Sequence, residues 1–126
     1  MTLVILKKRS EFVRVAKVRN TVRRDTIWVQ CLQNEFSGVS QFRVGFTASK
    51  KVGNAICRNR SKRRMRELAR LFLSDILSDF PEFKGDFVFI AVPTTISCNY
   101  ETLNQDFKSA VRRCIKRSTP ASNDKS

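Results

Sequence analysis

Nine cationic side chains fall between Lys50 and Arg70, namely Lys50, Lys51, Arg58, Arg60, Lys62, Arg63, Arg64, Arg66 and Arg70. Glu67 is the single acid among them, so this stretch of 21 residues carries a net charge of +8. The chemistry such a segment can do is phosphate neutralisation. Arginine offers a planar fork for bidentate contacts with phosphates or base edges, whereas lysine acts as a point charge. Five of the nine residues from Arg58 to Arg66 are Arg, which favours RNA over a loose electrostatic tether. The plainer alternative is a basic helix that is merely well solvated. A solvated helix usually mixes signs to gain pairs four residues apart, but here Lys62 and Arg66, and again Arg66 and Arg70, set like charges at that spacing and repel. An anionic partner relieves that repulsion.

The remaining reactive side chains exclude more than they offer. The chain has no His, which removes the commonest general acid or base. Asp75, Asp79, Asp86 and Asp106 are dispersed rather than paired, with no spacing suited to a two-metal site, and read as caps and surface charges. Cys31, Cys57, Cys98 and Cys114 form no Cys-x-x-Cys pair and read as buried free thiols rather than zinc ligands. The expectation is therefore a chain with no catalytic residue and no metal ligand of its own.

Across 126 residues, 25 Lys and Arg stand against 11 Asp and Glu, for a net charge of +14. That density opposes compaction unless a polyanion neutralises it. Nucleic acid is the first candidate partner. A membrane is not expected, because the longest apolar stretch, around Asp86–Val92, falls far short of the roughly 20 residues of a spanning helix. Leu3–Leu6 is apolar but lacks a preceding basic region and a cleavage site, so no secretory signal is read there and the cytoplasm is the expected location. DNA is not expected either, since no helix-turn-helix pair is evident.

These residues need elements to position them. A 41% hydrophobic content with ten Phe suits one modest core. Phe12, Val15 and Ala16 within residues 7–18 fit a short amphipathic helix. From Thr26 to Gln33, Ile27, Val29 and Cys31 alternate with Trp28, Gln30 and Leu32, which predicts a strand. A turn over Asn34–Ser40 leads to a second strand, antiparallel to the first, carrying Phe42, Val44 and Phe46. One further short strand is possible around Ser49–Val52. After Val52-Gly53-Asn54 the period changes, and Met65, Leu68, Ala69, Phe72, Leu73 and Ile76 mark one face of a helix that Phe80-Pro81 ends. Asn59, Arg63, Arg66 and Arg70 form one stripe of that helix with Lys62 at its edge, and its first two turns have little to bury. Phe87–Val92 is an unbroken apolar run, predicted to be a strand buried on both faces and closed by Pro93. Leu103, Phe107, Ala110, Val111, Cys114 and Ile115 define a last helix after an Asn99 cap, and residues 118–126 read as a disordered polar tail. The expected fold is a single α+β sandwich over residues 1–117, with helices packed on a mostly antiparallel sheet in the order α-β-β-(β)-α-β-α.

The string from Ser49 to Glu67, Ser-Lys-Lys-Val-Gly-Asn-Ala-Ile-Cys-Arg-Asn-Arg-Ser-Lys-Arg-Arg-Met-Arg-Glu, resembles the signature of the bacterial ribonuclease P protein family. An Arg-Asn-Arg tripeptide alone is weak evidence, but its flanks extend the match in fixed register. The likeness runs from about Leu6 to Arg117 and includes Leu-Lys-Lys before an acidic residue and Phe12, and the Asp-Phe-Val-Phe-Ile-Ala strand. It implies a left-handed crossover in the fold. The implied function is that of the protein subunit of a ribonucleoprotein that removes the 5′ leader from precursor tRNA, with chemistry done by the catalytic RNA and its Mg²⁺. The implied partners are that RNA and precursor tRNA. By motif, Arg58, Asn59, Arg60, Lys62, Arg63, Arg66 and Arg70 are candidate RNA contacts, supported by Lys50 and Lys51. Phe12 matches the first aromatic of a leader cleft between the first helix and the sheet, although Ala16 stands where a second aromatic is common. From the residues alone, Phe12 is either a core side chain or a partly exposed stacking platform. Ser61 and Arg64 also depart from the pattern, standing where apolar residues are usual. Rival readings are an RNA-binding module of ribosomal-protein type and a protein-only nuclease.

Overall fold

The unbroken apolar run becomes the central strand of the molecule. In the computed structural model, which describes residues 3–34 and 41–118, β4 (Gly85–Ala91) pairs antiparallel with β2 (Ile27–Gln33) and parallel with β3 (Phe42–Ala48). A short edge strand, β1 (Thr21–Arg23), pairs antiparallel with β2, giving the order β1-β2-β4-β3. A strand flanked on both sides and covered on both faces has no solvent side, and every β4 residue except Ile90 is buried.

This arrangement keeps the expected antiparallel relation of β2 and β3 without making them neighbours. They do run antiparallel to each other, but β4 lies between them. The turn expected over Asn34–Ser40 falls, beyond Asn34, outside the described residues. The outer edge of β3 is covered by the N-terminal segment, where Leu6 N–H donates to the Val44 carbonyl at 2.7 Å and Val44 N–H to that of Val4 at 2.9 Å. The apolar Leu3–Leu6 run is thus used to blunt an edge strand.

The main core lies on one face of the sheet. Phe87 and Phe89 of β4, Ile27, Val29 and Cys31 of β2, and Phe42 and Val44 of β3 pack there against the helices. Phe89 stacks on Phe107 at 5.3 Å and on Phe46 at 5.6 Å between centroids. All six apolar positions predicted for the last helix, α5 (Tyr100–Ser118), are buried, and the Asn99 side chain accepts the Thr102 N–H at 2.7 Å as its cap. Ser118 closes that helix, and the rest of the expected tail lies outside the described residues.

Between β3 and β4 the chain crosses over through helices, as a parallel pair requires. The crossover holds α2 (Ala55–Leu68), a wider π-helical turn (Ala69–Leu73) and α3 (Ser74–Leu77). Met65, Leu68, Ala69, Leu73, Ile76 and Leu77 are buried along it, while Leu71 in the wide turn stays 46% exposed. The short strand considered at Ser49–Val52 is instead a 3₁₀ turn, Lys50–Val52, anchored by buried Val52. Gly53 follows at φ +125°, ψ −148°, a conformation open essentially to glycine alone, and it re-aims the chain into α2.

Pro93 does not simply end β4. It opens a five-residue helix, α4 (Pro93–Ser97), because a missing N–H costs nothing at the first helical position. Thr95 fixes that helix, its hydroxyl accepting the Val92 N–H at 2.9 Å and donating to the Thr26 carbonyl at 2.6 Å. On the opposite face of the sheet sits α1 (Arg9–Lys17), over a small second cluster of Leu6, Val15 and Val88.

Candidate nucleic-acid interface

Two surfaces meet the description of an RNA site, and the first is α2. Its entry is built by the Asn54 side chain, which accepts the Cys57 N–H at 3.0 Å and leaves the next turns free to protrude. From Ala55 to Arg60 no residue is buried, and Ile56 is 64% exposed. Ser61, Met65 and Leu68 then turn inward at helical spacing. The opposite stripe, Asn59, Arg63, Arg66 and Arg70, is exposed throughout, as is Arg60, with Lys62 half-buried at its edge. Lys50 and Lys51 are exposed on the preceding turn.

Three of the cations have local hydrogen-bond or ion-pair partners. Arg58 is half-buried and donates back to the Gly53 carbonyl at 2.5 Å, bracing the turn that precedes the helix. Arg70 pairs with Glu67 at 2.7 Å, but both are about half exposed, and such surface pairs hold their charges only weakly. Arg64, which stands where the motif usually has an apolar residue, has a structural use here. One of its terminal nitrogens donates to the carbonyls of Thr95, Ile96 and Cys98 at 2.8 to 3.1 Å, satisfying the end of α4. Ser61, the other departure from the motif, is fully buried and donates to the Cys57 carbonyl at 2.9 Å.

The second surface is a groove of about 590 Å³ between α1 and the sheet. Phe12, Val13 and Ala16 form its helical wall, Gln30, Val88 and Ile90 its floor, and Lys7 and Arg9 add charge at its rim. Phe12 is neither wholly core nor wholly exposed. It is half-buried, packing against the Leu6–Val15–Val88 cluster while lining the groove. Gly45 makes this seat possible, because a Cβ there would come within 2.5 Å of the Phe12 ring.

A partly buried polar bridge fixes α1 on the sheet. Glu11 Oε1 accepts the backbone N–H groups of Lys7 and Lys8 at 3.1 and 3.0 Å, and its other oxygen accepts from Arg43 at 3.3 Å. Arg43 also grips both oxygens of Asp86 at 2.8 Å each. Asp86 is 1% exposed, so it is neither a cap nor a surface charge but a buried carboxylate held by a bidentate guanidinium. The backbone bond from Lys8, aided by the one from Lys7 and the nearby Arg43 charge, lowers the Glu11 pKa, and the Asp86 hydrogen bonds raise that of Arg43. Glu11, Arg43, Gly45, Lys7 and Arg9 were not among the residues expected to shape a site. Glu11 and Arg43 join partners more than thirty residues apart in sequence, and only the acid preceding Phe12 carried any sign of them.

The two surfaces adjoin. Arg66 of α2 lies over the Phe46 ring at 5.4 Å, and Phe46 lines the groove. Cys31 and Cys114 are buried and Cys57 and Cys98 half-buried, all as free thiols. Hydrogen bonding to Cys31, with burial, pushes the Cys114 thiol pKa far up, so it stays protonated and inert. Among the described residues no group of three or more His, Cys, Asp or Glu could hold a metal ion. Asp86 is committed to Arg43, Asp106 accepts from Thr26, and Asp79 pairs with Arg112. Among the described residues, therefore, the side chains do not fit a Mg²⁺ site. No helix among them is long and apolar enough to cross a membrane.

Fold and surface together define a class, a small basic α+β protein with a cationic helix beside an aromatic groove. The family model for ribonuclease P matches residues 2–115, and the chain belongs to that family. The ribonuclease P protein component of Ruegeria pomeroyi is 40% identical over 110 residues, covering 86% of this chain and 84% of that protein. That of Paramagnetospirillum magneticum is 37% identical, covering 86% and 80%. The RNase P protein of Staphylococcus aureus superposes with a TM-score of 0.69 at 25% identity, covering 88% of this chain and 94% of that one. The Thermotoga maritima RNase P protein shares the fold with the same TM-score at 21% identity. Membership sets the ribosomal-protein reading aside.

Proposed function

We propose that this chain grips two RNAs at once, the catalytic RNA of ribonuclease P along the exposed face of α2 and the single-stranded 5′ leader of precursor tRNA in the groove beside Phe12. Its family makes it the protein subunit of ribonuclease P, acting with the RNA in tRNA 5′ processing. One observation carries the finer reading: the groove and the cationic stripe share an edge at Phe46 and Arg66. Two polyanions brought to adjoining surfaces repel each other, and the cations between them offset that repulsion.

On this reading the hydrolytic step belongs to the RNA, and the Mg²⁺ it needs is held by the RNA. What the chain contributes is counter-charge, from Lys50, Lys51, Arg60, Lys62, Arg63, Arg66 and Arg70, and grip on an unpaired strand. Phe12 offers a base a partly exposed ring whose back is fixed by Gly45 and the sheet. On this reading the chain works in the cytoplasm, with neither DNA nor a membrane as partner.

The test is Phe12→Ala in the reconstituted enzyme. Affinity for precursor tRNA should fall about fivefold or more, since stacking on an aromatic is worth roughly 1–3 kcal/mol per base, while affinity for mature tRNA changes little. Equal losses for both would place Phe12 in a purely structural role.

A further inference from the structure

The open part of the sheet face beside α1 continues past the groove. Strand register sets Arg23, Trp28, Ile90 and Thr47 in one row across all four strands, because Arg23 pairs with Trp28, Trp28 with Ile90, and Ile90 with Thr47. Residues directly opposite in a sheet share a face. Ile90 and Thr47 already line the groove. Trp28 is therefore the next side chain along this row, one strand spacing of about 4.8 Å from Ile90, and about 7 Å along β2 from Gln30 on the groove floor. Trp28 is half-buried, and the exposed Arg23 places its guanidinium 4.7 Å from the centre of the indole.

This geometry is that of a nucleotide subsite. A half-exposed indole offers a base a stacking surface, and a stacked guanidinium keeps its N–H edge for a phosphate. The sequence also explains the need for one, because Ala16 lines the groove without offering a ring, so within the groove wall of α1 only Phe12 can stack. We infer that Trp28 and Arg23 form a second single-stranded RNA subsite, taking one unpaired nucleotide of the leader beyond the one at Phe12. The strand then crosses Ile90 toward β1, away from the Lys50–Lys51 turn. This inference rests on the leader reading above, and it makes recognition depend on leader length.

The experiment uses the holoenzyme with precursor tRNAs of short and long leaders. Trp28→Ala should reduce the preference for the long leader about fivefold or more. Trp28→Phe should restore most of that preference, and Arg23→Gln should reduce it while leaving the indole in place. Trp28 is the only Trp in the chain, so quenching of its emission when a single-stranded leader oligonucleotide is added to the unmodified protein reads the contact directly. Thermal melting of each variant shows whether the fold is kept, and Arg23→Gln decides if Trp28→Ala does not fold. If Phe12→Ala removes precursor preference but Trp28→Ala and Arg23→Gln keep the full leader-length effect without quenching, this subsite is wrong and the groove reading stands. If Phe12→Ala also has no effect, both are wrong.

Discussion

The seat of the Phe12 ring against the sheet exists only because one residue of β3 has no side chain. Gly45 lies opposite its ring, and any Cβ there would stand 2.5 Å from a ring carbon, nearer than real Cβ contacts come. Gly45→Ala should push the ring out of its seat, costing about 1–3 kcal/mol of stability as overpacking does and reducing precursor preference in step with Phe12→Ala. Denaturant unfolding and tRNA binding on the same variant check this, and an unshifted midpoint with normal preference would show that the ring is not seated as described. At this scale the sequence was legible where the signal was local. The stripe of Asn59, Arg63, Arg66 and Arg70 is exposed as its spacing requires, because charges that repel along a helix must face outward. The roles of Gly45, Arg43 and Arg64 were not legible, since each depends on a partner brought near only by folding.

At the scale of elements, α1 is tied to the sheet by the Glu11–Arg43–Asp86 bridge. Arg43→Met should cost about 3–5 kcal/mol, because it leaves the Asp86 carboxylate buried with no countercharge. Adding Asp86→Leu should recover much of that loss, and a double variant no more stable than the single one would contradict the account. Strong periodicity predicted α2 and α5 well, and the unpatterned apolar run correctly marked β4 as covered on both faces. Short elements escaped. β1 is three residues with only Val22 buried, too brief for alternation to register. Pro93 read as a stop signal, though the same fixed φ that ends a strand also starts a helix. The Lys50–Val52 turn resembled a strand because its single buried residue, Val52, is β-branched.

For the molecule as a whole, the order of strands is what builds the interface. Placing β4 between β2 and β3 sends the β3–β4 crossover through α2, which sets the cationic helix on one side of the β3 edge and the groove on the other. A local reading pairs consecutive strands and so misses this, because the choice of neighbour is made by burial of the most apolar strand rather than by adjacency in sequence. Charge and composition pointed to a polyanionic partner and the Ser49–Glu67 string to the family, while the juxtaposition of the two surfaces was not legible.

The most direct measurement of the central claim is cleavage of precursor tRNA by the catalytic RNA as Mg²⁺ is lowered, with no protein, with this protein, and with an Arg60→Ala, Arg63→Ala, Arg66→Ala variant that keeps the native melting temperature. The account predicts that the protein sustains cleavage at Mg²⁺ concentrations where the RNA alone fails, and that the variant returns the Mg²⁺ requirement most of the way to that of the RNA alone. A variant that supports cleavage as well as the unmodified protein across the whole Mg²⁺ range would contradict it.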